Sequence, residues 1–171
     1  VRPRIPRQQD SDRGWTPAEP DAGLTDELAS VVAGARRRAM RDGDRQIDTA
    51  HLLHSLLESD PEVRAAFDGG PHLARLLGYL VQRSIGYGLS WQGTVEDSGA
   101  LPVVTADAAG WSPTAARAME GARDRAVRRG GGPARGVDLF AEVVADRESR
   151  AVEVLHRAGV DVGELTGRIE G

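Results

Sequence analysis

Three sets of residues have the types and spacing to do chemistry. His51-Leu-Leu-His54 places two imidazoles at i and i+3 of a helix, a spacing that can serve a metal ion. No third ligand lies nearby in sequence, so no metal is expected. Gly130-Gly131-Gly132 offers backbone N–H groups that could meet an anion, but a glycine run after a helix is ordinarily a cap and a loop. The third set is cationic: Arg36, Arg37, Arg38 and Arg41, echoed by Arg123, Arg125, Arg128 and Arg129. Guanidinium groups read carboxylate and phosphate as planar forks.

Composition narrows the chemistry further. All 22 basic residues are arginine, and cysteine is absent. Schiff-base lysines, a P-loop lysine, thiol nucleophiles, thiolate zinc sites and disulfides are therefore excluded. Ser, His and Asp occur without a Gly-x-Ser-x-Gly or comparable signature, so nothing points to an enzyme and no cofactor is expected. The net charge of −4 does not favour nucleic acid in bulk. No apolar run approaches the ~20 residues that span a bilayer, and the N-terminal residues lack a signal peptide's apolar region, which leads to the expectation of a cytoplasmic protein without membrane partners.

The elements that must position these groups are helices. Residues 1–23, rich in proline and arginine without any period, read as an extended arm. Thr25 caps a first helix over about 25–42, with Asp26 and Glu27 in its first turn and Leu28, Val31, Val32, Ala35 and Ala39 on one face. Asp48 or Thr49 opens a second helix bearing Leu52, Leu53, Leu56 and Leu57. A short third carries Val63, Ala66 and Phe67, and a fourth begins at Pro71. Residues 86–110 contain five glycines and an alternating piece at Leu101 to Thr105, and they read as a connection.

Past residue 110 the pattern begins again. An offset of 87 lays Leu24-Thr25 on Trp111-Ser112 and the stretch Gly34 to Gly43 on Gly121 to Gly130, with seven identities in ten. Two units, 24–85 and 111–171, follow from this. Each has about four helices with apolar stripes that one unit cannot bury alone, so the expected architecture is all-α: two pseudo-symmetric four-helix repeats packed into one eight-helix domain.

The order Leu24-Thr25, Gly43, Asp48-Thr49-Ala50-His51-Leu52-Leu53 and Val63-Arg64-Ala65-Ala66-Phe67 resembles the double Clp repeat. So does its second copy, Trp111-Ser112-Pro113, Gly130, Arg135-Gly136-Val137-Asp138-Leu139-Phe140 and Ala151 to Val160. That repeat builds the N-terminal substrate- and adaptor-binding domain of ClpA/ClpC-type protein-unfolding ATPases. The resemblance covers about residues 24–170 and implies a non-catalytic module for protein substrates, peptides or adaptors in Clp-type proteolysis, here without the ATPase modules. It implies a binding groove around Leu24, Thr25, Trp111 and Ser112. The chain departs from the family, whose first helix is usually acidic, in carrying Arg36, Arg37, Arg123 and Arg125, and these guanidinium groups are expected to select acidic neighbours. The alternative is a decoy or sensor that sequesters cyclic-peptide antibiotics or similar small molecules. In family members that recognise phosphoarginine, a glutamate in each repeat pairs with the guanidinium. Ala50 and Val137 stand at those positions, so the charge partner for that recognition is missing from both repeats.

Overall fold

A computed structural model describes residues 23–67, 71–84, 95–97 and 110–170. Residues 1–22 of the expected arm and the alternating piece at Leu101 to Thr105 lie outside these residues. The described residues form eight helices and no strand: α1 (Asp26–Arg41), α2 (Thr49–Ser59), α3 (Pro61–Ala65), α4 (Pro71–Ser84), α5 (Pro113–Arg128), α6 (Gly136–Ala145), α7 (Arg150–Arg157) and α8 (Val162–Glu170). The all-α, twice-four arrangement read from the repeat is what forms.

Local chemistry explains where the long helices start. Thr25 Oγ1 accepts the N–H of Leu28 at 3.2 Å, and Ser112 Oγ accepts that of Ala115 at 3.0 Å, so each repeat's first helix has the same hydroxyl cap. α1 packs along α2, and α5 along α6. Each pair closes over a glycine: a Cβ at Gly34 would press on Ser55, and one at the equivalent Gly121 would press on Glu142. The shared glycine letters thus reflect the closeness of two helix axes, where any side chain would hold them apart.

α2 and α6 form the centre. Leu52, Leu53, Leu56 and Leu57 are at most 1% exposed, as are Leu139, Phe140, Val143 and Val144. Each such side chain contributes about 2 kcal/mol by leaving water. The sequence gives α2 a leucine stripe, but the fold buries Thr49 to Leu57 on every side. Burial on all faces requires partners for its polar groups. Ser55 Oγ donates to the Val31 carbonyl at 2.6 Å, and His54 Nε2 meets Glu58 Oε1 at 3.1 Å.

The short third helices cross over. α7 of the second repeat packs on α2 of the first, and α3 of the first packs on α6 of the second. Phe67 and Phe140 meet across that seam with ring centroids 5.6 Å apart. One core results, and neither repeat owns it.

Candidate functional site

The residues singled out at the helix starts occupy two crossings between the repeats. At one, Thr25 N–H donates to the Ala134 carbonyl (3.0 Å) and Ala134 N–H to that of Gly23 (2.8 Å). At the other, Ser112 N–H donates to the Ile47 carbonyl (2.8 Å) and Ile47 N–H to that of Gly110 (2.7 Å). The offset of 87 maps one crossing onto the other residue by residue. The start of each repeat's first helix is therefore stitched to the segment that leads into the other repeat's second helix. Leu24 and Trp111 are half-buried and rest on the core, Thr25 is half-buried, and Ser112 is fully buried.

At the crossing of Ile47 with Trp111, three helices begin around one carboxylate. Glu96, 5% exposed, comes from the connection between the repeats. Its Oε1 accepts the Thr49 N–H (2.9 Å) and the Ser112 hydroxyl (2.8 Å). Its Oε2 accepts the Arg150 N–H (2.8 Å) and the Thr49 hydroxyl. The first backbone amides of α2 and α7 thus share an acceptor with the cap of α5, where helix dipoles favour negative charge. Asp48 adds a pair with Arg150 Nη1 at 2.9 Å. Nothing in the local sequence marks Glu96, because its partners lie 16 to 54 residues away.

The crossing of Leu24 with Ala134 is built differently. Asp60 Oδ1 caps α3 by accepting the N–H groups of Glu62 (2.9 Å) and Val63 (3.2 Å). Its other carboxylate oxygen fills the space over Gly136, where a Cβ would collide with it. Two residues on, Asp138 receives both guanidinium nitrogens of Arg129, with Nη2 to Oδ2 at 2.9 Å, and also the Arg135 N–H at 2.9 Å. Burial alone would raise the Asp138 carboxyl, but the hydrogen bonds from Arg129 and Arg135 and their charges outweigh it and hold it below the usual carboxylate range. The same hydrogen bond, followed by Coulombic attraction, raises the Arg129 guanidinium.

Beside this second crossing lies a cavity of about 820 Å³. The buried or half-buried Ala66, Val137, Ala141 and Ile169 make its apolar floor, and around them it is lined by the exposed Ala65 and by Arg125, Arg128, Arg129, Arg135 and Arg168. Of the four arginines expected to select acidic neighbours, only Arg125 lines it. Arg125 Nε donates to Glu142 at 2.5 Å. Arg36 and Arg37 are exposed on α1, and Arg123 is half-buried on α5. Arg135 and Arg168 join through the packing of α6 and α8, which no local spacing announces.

Among the described residues one group could hold a metal ion, with ligand atoms of Asp42, Asp44 and His51 within 4.8 Å of one another. The His51 imidazole is already engaged on both sides. Asp48 N–H donates to Nδ1 at 3.0 Å, which leaves the proton on Nε2 facing Asp44 Oδ2 at 2.8 Å. His54 points to Glu58, so the two imidazoles do not converge.

Two helical copies, stitched through each other's helix starts around one core, make up the fold of the Clp N-terminal domain. The solved structure that carries the comparison is the N-terminal domain of the caseinolytic protease associated chaperone ClpD from Arabidopsis thaliana. It matches with a TM-score of 0.61 over 91% of this chain and 97% of that one, at 16% identity. The likeness is one of fold. No protein-family model and no curated protein matches the chain. No helix among the described residues is long and apolar enough to cross a membrane.

Proposed function

We propose that this chain is a Clp N-domain-type binding module that recognises protein substrates, peptides or adaptors in Clp-type proteolysis, without catalysis of its own. One observation carries the reading: a domain with this fold presents a cavity of about 820 Å³, large enough for several side chains, with an apolar floor inside a polar rim. The half-buried Leu24 and Trp111 at the two crossings offer further apolar contact, and the exposed Arg36 and Arg37 offer charge.

The test is a pull-down in which the purified chain is presented with Clp ATPase and protease components and, separately, with unfolded or acidic peptides. Retention of a Clp component or of peptide supports the module. Retention of neither overturns it.

A further inference from the structure

The arginine rim belongs to one repeat only, and the internal symmetry shows why this matters. At the offset of 87, Arg125 and Arg128 fall on Arg38 and Arg41, but Arg129 and Arg135 fall on Asp42 and Asp48. A chain that uses arginine for every basic residue could carry arginines anywhere. Here, though, two of the five replace acids of the sister repeat at matched positions around one cavity. Counting the acids that also line it, Glu62, Asp138 and Glu170, the lining has five positive and three negative side chains, while the whole chain carries −4.

The rim's ion pairs differ in how firmly they are made. Arg129 is fixed by both oxygens of buried Asp138. Arg125 is held by the Glu142 carboxylate at 2.5 Å, whereas Arg135 pairs with Glu62, which is 57% exposed, and Arg168 with Glu164, which is 71% exposed, at 4.0 Å. Such exposed pairs are weak and exchange readily for an incoming carboxylate. Arg128 has no partner among the described residues. The floor of alanine, valine and isoleucine would gain nothing from a bare phosphate, and no described lining residue is aromatic, so bases have nothing to stack on.

We infer that the cavity between α3, α5, α6 and α8 is a docking groove for an acidic peptide segment that seats an aliphatic side chain on the Val137–Ile169 floor. Flanking carboxylates then meet Arg128, Arg135 and Arg168. The inference rests on the binding-module reading and adds the ligand's chemistry and its place.

Fluorescence anisotropy of the purified chain tests it, with a labelled peptide of about a dozen residues in which Asp and Glu flank two central leucines. Reversing charge in the groove with Arg128→Glu plus Arg168→Glu is expected to weaken binding about tenfold or more, and to lessen its salt dependence. The same charge change on α1, Arg36→Glu plus Arg37→Glu, is expected to cost less than about twofold. Asn and Gln in place of the acids, or serines in place of the leucines, should each weaken binding. Equal losses from both double variants, undiminished binding of the amide peptide, or equally tight binding of labelled single-stranded DNA would each overturn the groove. Retention of Clp components by a chain that ignores the acidic peptide overturns this inference and leaves the module reading standing. Peptide binding through the groove without Clp retention supports the groove.

Discussion

The loop that follows the first helix is clamped in both repeats, at matched positions, with opposite polarity. In the first, Asp42 and Asp44 face the His51 ring at 3.8 and 2.8 Å; in the second, Arg129 grips Asp138. Position 42 corresponds to 129, and 51 to 138. Acid has become base on the loop, and base has become acid on the helix. Duplication kept the geometry, a charge on the loop reaching the third residue of a buried helix, and left the sign open. The sign decides the outer surface. The first repeat's loop is acidic, while the second repeat's loop supplies the cationic edge of a cavity.

The two crossings differ in the same way, since one is closed by Glu96 from the connection and the other by Asp60 from the helix cap itself. Removing the first closure should have the largest effect. Glu96→Ala leaves the amides of Thr49 and Arg150 and two hydroxyls without their acceptor inside the protein, and is expected to cost about 4 kcal/mol in urea unfolding. If the midpoint shifted no more than for a surface substitution, Glu96 would be no part of the core. Gly136→Thr, which installs the first repeat's residue in the second, drives a side chain into Asp60 and should cost about 3 kcal/mol. Tolerance of that exchange would mean that the crossings are interchangeable.

Asp138→Asn is expected to cost about 1 to 2 kcal/mol at pH 7, through loss of a charged acceptor at the start of α6. Because the folded state holds the Asp138 carboxyl low, its contribution is complete above the unfolded-state value near 3.8 and fades as pH falls through the depressed folded value. Unfolding curves of the two proteins should therefore keep a constant gap from pH 7 to about pH 5 and converge below about pH 4. A gap that widened in acid would contradict the clamp. The smallest change is expected on α1, where Arg36→Glu with Arg37→Glu should shift stability by no more than about 0.5 kcal/mol. A larger loss would show that this exposed face is structural.

Much of the frame was legible from residue order. The caps at Thr25 and Ser112, the leucines of α2, the proline at the start of α4 and the offset of 87 all act over one or two helical turns, where spacing carries the signal. The candidate site was legible in part. Arg125, Arg128 and Arg129 stood out as a cluster, but the groove also needs Arg135 at the cap of α6, Arg168 on α8 and Ala66 just past α3, brought together by packing. The burial of α2 on every side was hidden because His51, His54 and Ser55 look solvent-facing until their partners on neighbouring elements are known. Glu96 was hidden for a related reason: a single acid in a glycine-containing connection gains its meaning only from helix ends distant in sequence.

That carboxylate also bears on how the molecule becomes folded. Thr49 and Ala151, and Asp48 and Arg150, are joined by hydrogen bonds across 102 residues of chain, and Glu96 sits between them as acceptor to both sides. A segment comprising the first repeat alone would carry the start of α2 without its acceptor, and one comprising the second alone would lack the helix on which α7 packs. Glu96 thus joins helix starts of both repeats, and the two halves of the duplicated sequence are expected to unfold as a single cooperative unit, with one transition in urea.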